Sequence, residues 1–197
     1  VLVPLINGIW LYLNLDPTPI NMQLHVFTLE IVKVDRLSLL FGYLFHIACF
    51  ICLIYAMHLK DRVQFVAGLA YAGSAVGAVF AGDFLTVFVF WELLALTSAF
   101  LIFARRTKSA QQAGIRYLMI QILSGVALLI AAIMHYRATG SISITQIGLS
   151  DYTSYLFLFA FGVKAAFPFL HTWLTDAYPE ATPVGTVFLS AFTTKVA

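Results

Sequence analysis

Three ionisable residues stand in stretches that are otherwise apolar: Glu92, Lys164 and Lys195. Glu92 lies within FLTVFVFWELLALTSAFLIF, Lys164 within YLFLFAFGVKAAF, and Lys195 near the last residue. A charged group at the centre of a bilayer costs about 2.5–3.5 kcal/mol even on the lenient insertion scale, so it is normally retained for a function. One acid and two bases in successive apolar segments therefore indicate a relay for protons or other cations.

The depth of these charges favours a function over a structural role. Glu92 lies about eight residues, or roughly 12 Å, into its segment, where a neutral glutamine would make the same structural hydrogen bonds at lower cost. Lys164 lies about twelve residues into its own segment, too deep for its side chain to reach either interface easily. Lys195 lies about eleven residues beyond Val184, which is again mid-span.

A helix break is predicted beside Lys164. Pro168 stands four residues later and lacks the backbone N–H that would bond the Lys164 carbonyl. Discontinuous helices of this kind admit water and line ion sites in transporters. His171 follows in PFLHTWL and could pass protons between bulk water and Lys164, with a plain interfacial histidine as the alternative.

Composition indicates an integral membrane protein. The chain is 61% hydrophobic and 10% charged, with a mean hydropathy of +0.93, whereas soluble domains carry about 25% charged residues. A net charge of +2 is too small to indicate nucleic acid, no basic patch alternates with aromatic residues, and no nucleic-acid partner is expected. Cys49 and Cys52 form CxxC inside an apolar run, so they are interpreted as packing thiols. No His or carboxylate grouping predicts a metal, and no cofactor is expected.

The elements that position these charges form a predicted all-α, polytopic transmembrane bundle. Residues 1–36 are expected to hold the end of a preceding helix and an extracytoplasmic connector, with HVFTLEIVKVD as a strand or hairpin. Asp35 is a plausible N-cap for the first full span. The predicted spans within 37–197 cover about 37–59, 63–81, 84–104, 115–136, 152–170 and 184–197.

The connections between spans set the orientation. The stretch ARRTKSAQQAGIR between the third and fourth spans is interpreted as a basic loop, and its charges place that face in the cytoplasm. Trp91 is interpreted as core packing and Trp173 as an interfacial anchor. The first residue is not methionine and TTKVA ends abruptly, which is typical of a fragment.

Four motifs resemble a known family. VDRLSLLF, GDFLTVFVFWELLALTSAFLI, KAAFPFLHTWLTDAYPEATPV and LSAFTTKVA are similar to the proton-conducting antiporter-like membrane subunits of Mrp Na+/H+ antiporters, respiratory complex I and membrane-bound hydrogenases. DAYPEA and TKV look closest to the D branch of the Mrp antiporters. Thr175, and Ala181-Thr182-Pro183, depart from the usual pattern of the loop after the lysine.

The resemblance implies a fold and a set of roles. The fold would be the first five-helix repeat of an inverted-repeat bundle with a discontinuous helix. Glu92 would be the acid paired with Lys164, and Lys195 the lysine that passes the proton onward. His171 to Glu180 would form the hallmark loop, with Asp176 and Glu180 its acids.

The resemblance also implies an assembly and a membrane. The partners would be other membrane subunits of a hetero-oligomeric complex in a bacterial or archaeal cytoplasmic membrane, and the transported ion H+, with Na+ as a further possibility. Two alternatives are a purely structural assembly subunit and a membrane enzyme for a quinone-like substrate. The sequence offers no ligands for the redox centre that such an enzyme needs.

Overall fold

A computed structural model of the protein describes residues 1–14, 18–24 and 27–197. Within these residues the chain forms a helical bundle with one two-stranded antiparallel sheet. In chain order the elements are α1 (Val3–Leu13), β1 (Ile20–Leu24), β2 (Phe27–Val32), α2 (Arg36–Ala56), α3 (Arg62–Phe80), α4 (Phe84–Phe103), α5 (Lys108–Thr139), α6 (Tyr152–Lys164), α7 (Thr172–Ala177) and α8 (Pro183–Val196).

Four helices, α2 to α5, are long and apolar enough to cross a bilayer. Helix α6 has 13 residues, fewer than the 20 or so that a crossing requires, and it is followed by the short helix α7. The segment predicted as one span over 152–170 therefore contains α6 and the turn that follows it, and α7 begins just beyond this segment, at Thr172.

Short polar side chains cap six of the helices in the described residues. Each accepts a hydrogen bond from the first-turn backbone, which satisfies N–H groups that would otherwise lack partners in a membrane. Asp35 caps α2 as predicted, in a capping box with Ser38. The other caps of this kind are Asp61, Asp83, Thr107, Asp151 and Thr182.

Helix α5 begins earlier than the sequence predicted. It starts at Lys108 with Thr107 as its cap, so the connection from α4 is only residues 104–107. The basic segment contains alanine and glutamine with no proline, and these residues favour helix once a cap is available. Its polar side chains lie on the exposed side of the first turns of α5.

The hairpin is fixed to the turn between α3 and α4. Strand β2 was expected within residues 25–35, and it pairs with β1, which lies in the segment predicted only as a connector; His25 lies outside the described residues. The buried carboxylate of Asp83 accepts a 2.8 Å hydrogen bond from the Glu30 N–H, and Gly82 N–H donates to the Glu30 carbonyl at 2.9 Å. Asp83 thus caps α4 and anchors the hairpin with one side chain.

The bundle packs through small residues. On α3, Gly77 leaves the space that the Phe90 ring of α4 fills, and a Cβ there would overlap this ring. One buried apolar cluster contains Tyr71, Leu101 and Phe192 and joins α2, α3, α4 and α8. A second, around Trp91 and Leu128, joins α4, α5 and α6. Lys164 lies beside the second cluster.

Candidate functional site

The break after Lys164 has the geometry of a Schellman motif. Ala166 has a φ of 57°, in the left-handed region. The N–H of Phe167 donates to the Gly162 carbonyl at 2.9 Å, and the N–H of Ala166 donates to the Val163 carbonyl at 3.2 Å. The helix thus ends at Lys164, beside which the break was predicted, but the turn at Ala166 ends it rather than Pro168, which stands four residues later. Pro168 lies in the turn that follows, where its fixed φ is accommodated.

The side chain of Lys164 is completely enclosed. Its exposed fraction is 0%, and its Nζ donates to the backbone carbonyl of Trp91 at 3.0 Å. The same Nζ lies 4.1 Å from the centroid of the Trp91 ring, within the range of a cation–π contact. The carbonyl oxygen and the ring face are both electron-rich, so Trp91 stabilises a positive charge that water cannot reach.

A circuit of hydrogen bonds fixes Trp91 across three helices. Its indole Nε1 donates to Ser124 Oγ of α5 at 3.2 Å, and Ser124 Oγ donates to the Ala160 carbonyl of α6 at 2.8 Å. Ala160 lies one turn before Lys164, which closes the circuit by bonding the Trp91 carbonyl. The predicted role of Trp91 as core packing is therefore incomplete, because this residue also binds the lysine.

Glu92 points toward α5 and contacts Gly125. Its Oε1 is buried and has no hydrogen-bond partner among the described residues. A Cβ on residue 125 would overlap this oxygen, so only glycine leaves room for the carboxylate. A buried oxygen without a partner costs roughly 1–3 kcal/mol, which is typical of a functional group rather than a packing residue.

Glu92 and Lys164 do not form the direct ion pair that was expected. Among the described residues, no carboxylate oxygen lies within 4.0 Å of Lys164 Nζ. Adjacent residues on a helix point about 100° apart. Trp91 therefore faces α6 and meets the lysine, while Glu92 faces Gly125. The two charges still interact electrostatically at longer range.

Helix α7 is held against the break by Trp173. This residue is 2% exposed, and its Nε1 donates to the Val163 carbonyl at 2.8 Å. Its predicted role as an interfacial anchor is wrong, because the Val163 carbonyl at the helix end, which also accepts from the Ala166 N–H, gives the indole an internal partner. Trp173 also packs against Tyr117 of α5, with ring centroids 5.5 Å apart.

The acids of the predicted hallmark loop bind arginines. Arg116 donates through Nε and Nη2 to the two carboxylate oxygens of Asp176, each at 2.8 Å. Glu180 lies 3.6 Å from Arg105, which also donates to the Pro179 carbonyl. These contacts fix α7 and the following turn to α5 and to the end of α4.

Two predicted relay residues lie away from the buried lysine. His171 is exposed at the start of α7, and its side chain makes no capping hydrogen bond. Lys195 is exposed on the last turn of α8, where its Nζ donates to the Ser190 carbonyl at 2.6 Å. The mid-span position of Lys195 stays a prediction. Among the site residues, the structure brings together Glu92 and Lys164.

The cysteines and histidines do not form a metal centre in the described ranges. There, no three His, Cys, Asp or Glu side chains are grouped so that they could hold a metal ion. Cys49 and Cys52 are free, buried thiols on α2.

Three residues of α5 were not singled out from the sequence: Gln121, Ser124 and Gly125. With Tyr117 they lie on one buried face, at intervals of four, three and one residues. The spacing of these polar and small residues in an apolar helix could have indicated a functional face, but it does not indicate which residues they contact.

The fold and the site define a multi-pass membrane chain with a buried lysine at a broken helix. The family model described as "NADH:quinone oxidoreductase/Mrp antiporter, TM" matches residues 81–197. The chain belongs to this family of antiporter-like membrane subunits.

Individual relatives agree with this assignment. The protein named as antiporter subunit mnhA2 of Staphylococcus epidermidis is 32% identical over 182 residues, which cover 83% of this chain and 23% of the relative. NAD(P)H-quinone oxidoreductase chain 4-2 of Synechocystis is 32% identical over 147 residues, covering 70% of this chain and 26% of the relative. The chain thus spans about a quarter of their length, and the match defines the family rather than a branch within it.

A solved structure shows the same fold. The archaeal membrane-bound sulfane sulfur reductase, a respiratory membrane complex, has a chain that superposes with a TM-score of 0.83 at 29% identity. The superposition covers 98% of this chain and 33% of the other.

The space at Gly125 gives a first prediction. Gly125→Ala should destabilise the protein by about 1–3 kcal/mol, because the new methyl group displaces the Glu92 carboxylate. Thermal unfolding of the full-length protein in detergent measures this, and adding Glu92→Asp should recover part of the loss by shortening the acid. Gly73→Ala is the matched control, since nothing lies within 4 Å of its Cβ position. Equal effects of the two alanines would contradict the contact.

The Arg116–Asp176 pair gives a second prediction, on pH. Hydrogen bonds from the Arg116 guanidinium hold the pKa of Asp176 below its usual value. The pair's contribution to the free energy of unfolding is therefore present above the ordinary aspartate pKa of about 3.9 and is lost as pH falls through the lower folded-state pKa.

Thermal unfolding between about pH 5 and pH 2 measures this contribution. Asp176→Asn should flatten that part of the profile, whereas Lys108→Gln, which changes an exposed lysine outside the ion pairs of the described residues, should leave it unchanged. The Asp176 assignment would be wrong if the profile of Asp176→Asn followed the unmodified protein throughout this range.

Proposed function

We propose that the full-length protein is a proton-translocating, antiporter-like subunit of a multisubunit membrane complex, and that Glu92 and Lys164 carry the proton through this segment. The observation that carries the proposal is the fully enclosed Lys164 ammonium at a helix break. A charged group in a membrane costs free energy, so it is normally retained only where the protein uses its charge state. Membership of the antiporter-like family supports this proposal.

Proton release from Lys164 depends on how few hydrogen bonds its ammonium group makes. It has three N–H donors, and its one hydrogen bond among the described residues is to the Trp91 carbonyl. At an effective dielectric constant of about 20, two opposite charges attract by roughly 4 kcal/mol at about 4 Å and by less at longer range. Glu92 beyond ion-pair distance still favours the protonated lysine, and movement of the acid farther away favours release of the proton. The unpaired Oε1 leaves Glu92 with no hydrogen bond at that atom to oppose such a movement.

The remaining steps extend from this pair in both directions. His171, exposed beyond the break, exchanges protons with water and supplies Lys164. The proton released by Lys164 passes toward Lys195 on α8, and from there to the rest of the longer protein. Coupling to Na+ exchange, as in an Mrp-type antiporter, would take place in the assembled complex in a bacterial or archaeal cytoplasmic membrane.

Two further assignments remain as alternatives. One is a proton-pumping subunit of a quinone oxidoreductase or a membrane-bound hydrogenase, which would use the same pair. The similarity to the Synechocystis quinone oxidoreductase chain supports this alternative. A purely structural subunit would use the hydrogen-bond circuit only to hold α4, α5 and α6 together. The structural alternative predicts that removing either charge impairs assembly, and that an apolar pair at both positions restores assembly with transport intact.

Proton flux in proteoliposomes that contain the whole complex tests the proposal. Glu92→Gln should lower the flux at least tenfold, equivalent to about 1.4 kcal/mol, while the complex still assembles, because the carboxylate charge is lost and the shape of the side chain is kept. Lys164→Met should do the same. Lys108→Gln, which changes an exposed lysine at the start of α5, is the control and should have normal flux. Unmodified flux in Glu92→Gln would overturn the relay.

A further inference from the structure

Gln121 is a buried amide with unused hydrogen-bonding capacity. Its exposed fraction is 0%, and neither its Oε1 nor its Nε2 has a partner among the described residues. Because the side chain is enclosed within the bundle, neither a further segment of a longer protein nor a partner subunit can reach it directly. A buried amide of this kind requires small polar ligands, and water is the usual one.

The register of α4 against α5 places Gln121 between two hydrogen-bonded pairs. Trp91 bonds Ser124 at one level, and Ser98 bonds Tyr117 about two turns along. Because the two helices are antiparallel, residue 121, which lies between Ser124 and Tyr117, is opposite Leu94 and Ala95, which lie between Trp91 and Ser98. Helical geometry puts Gln121 one turn from Gly125, the residue that the Glu92 carboxylate contacts.

A group of hydroxyls lies on the other side of Gln121. Ser98 Oγ donates its one proton to the Ala95 carbonyl at 2.8 Å, so the Tyr117 hydroxyl must donate to Ser98. The lone pairs of Tyr117 therefore remain as acceptors. Thr193 of α8 interacts with Tyr117 and is hydrogen-bonded to Tyr71 of α3. Through Thr193, this group of hydroxyls extends to α8, two residues before Lys195.

We propose that Gln121 holds one or more ordered water molecules that connect the Glu92 carboxylate to the hydroxyls of Tyr117, Ser98, Thr193 and Tyr71. The water donates to Glu92 Oε1, the buried oxygen that has no partner among the described residues, and exchanges hydrogen bonds with both atoms of the Gln121 amide. These contacts provide the two to four polar partners that a buried water needs. Gln121 is then a positioning residue, and its water is a route from Glu92 to α8 once the Tyr117 hydroxyl rotates from Ser98 toward Thr193. This role in proton transfer rests on the proposed function.

The test compares Gln121→Leu with Gln121→Asn in the full-length protein within its complex. Leucine keeps most of the volume but binds no water, whereas asparagine keeps an amide. Gln112→Leu, an exposed glutamine on the same helix, is the control. Three quantities are measured: proton flux, unfolding temperature, and density for ordered water beside residue 121 in a high-resolution structure.

We expect ordered water at Gln121 in the unmodified protein, none in Gln121→Leu, and a flux roughly tenfold lower in that variant, the size of effect that loss of one hydrogen-bonded link produces. Gln121→Asn should retain part of the flux. The leucine variant should unfold at a temperature equal to or below that of the unmodified protein, because its polar partners are lost.

Other results overturn the inference. The absence of ordered water beside residue 121 in the unmodified protein would show that the Gln121 amide has no hydrogen-bond partner. A leucine variant that is more stable and has normal flux would show the same. The water is observed without any transport measurement, so its presence together with normal flux in Glu92→Gln would refute the proposed function and leave the water site standing.

Discussion

The contact between the Lys164 ammonium and Trp91 is the interaction on which the site depends. A fully buried positive charge requires electron-rich neighbours, and Trp91 provides both a carbonyl oxygen at 3.0 Å and a ring face at 4.1 Å. Ser124 then fixes the indole by linking it to the Ala160 carbonyl of α6. Helices α4, α5 and α6 are thereby held in one arrangement by the same groups that solvate the charge.

The local structure around this contact can be understood as its consequence. Helix α6 ends at Lys164, where the left-handed Ala166 turns the chain and Trp173 donates a further hydrogen bond to the Val163 carbonyl. Gly125 leaves room for Glu92 close to the lysine without a direct ion pair. A tight pair would fix both charges, whereas an acid at longer range can modulate the lysine and still move.

Much of this fold follows from the sequence, and the missed parts have physical reasons. Apolar length and aspartate caps such as Asp35 predict the spanning helices, and the cost of buried charge singles out Glu92 and Lys164. The helix end at Lys164 depends on an alanine in a conformation that usually takes glycine, so the sequence points to the proline instead. Trp173 and Gly125 act through partners that are remote in sequence, and spacing along a helix cannot reveal those partners.

The most direct measurement of the central claim is the charge state of the Lys164 amine in the membrane. Solid-state NMR of the full-length protein with ¹⁵N-labelled lysine distinguishes ammonium from amine at the Nζ atom, and Lys164→Met assigns the signal. At one fixed pH, we expect a smaller ammonium fraction in Glu92→Gln than in the unmodified protein, because the acid stabilises the buried charge from a distance. An ammonium fraction that is the same in both proteins would contradict the coupling of Glu92 to Lys164.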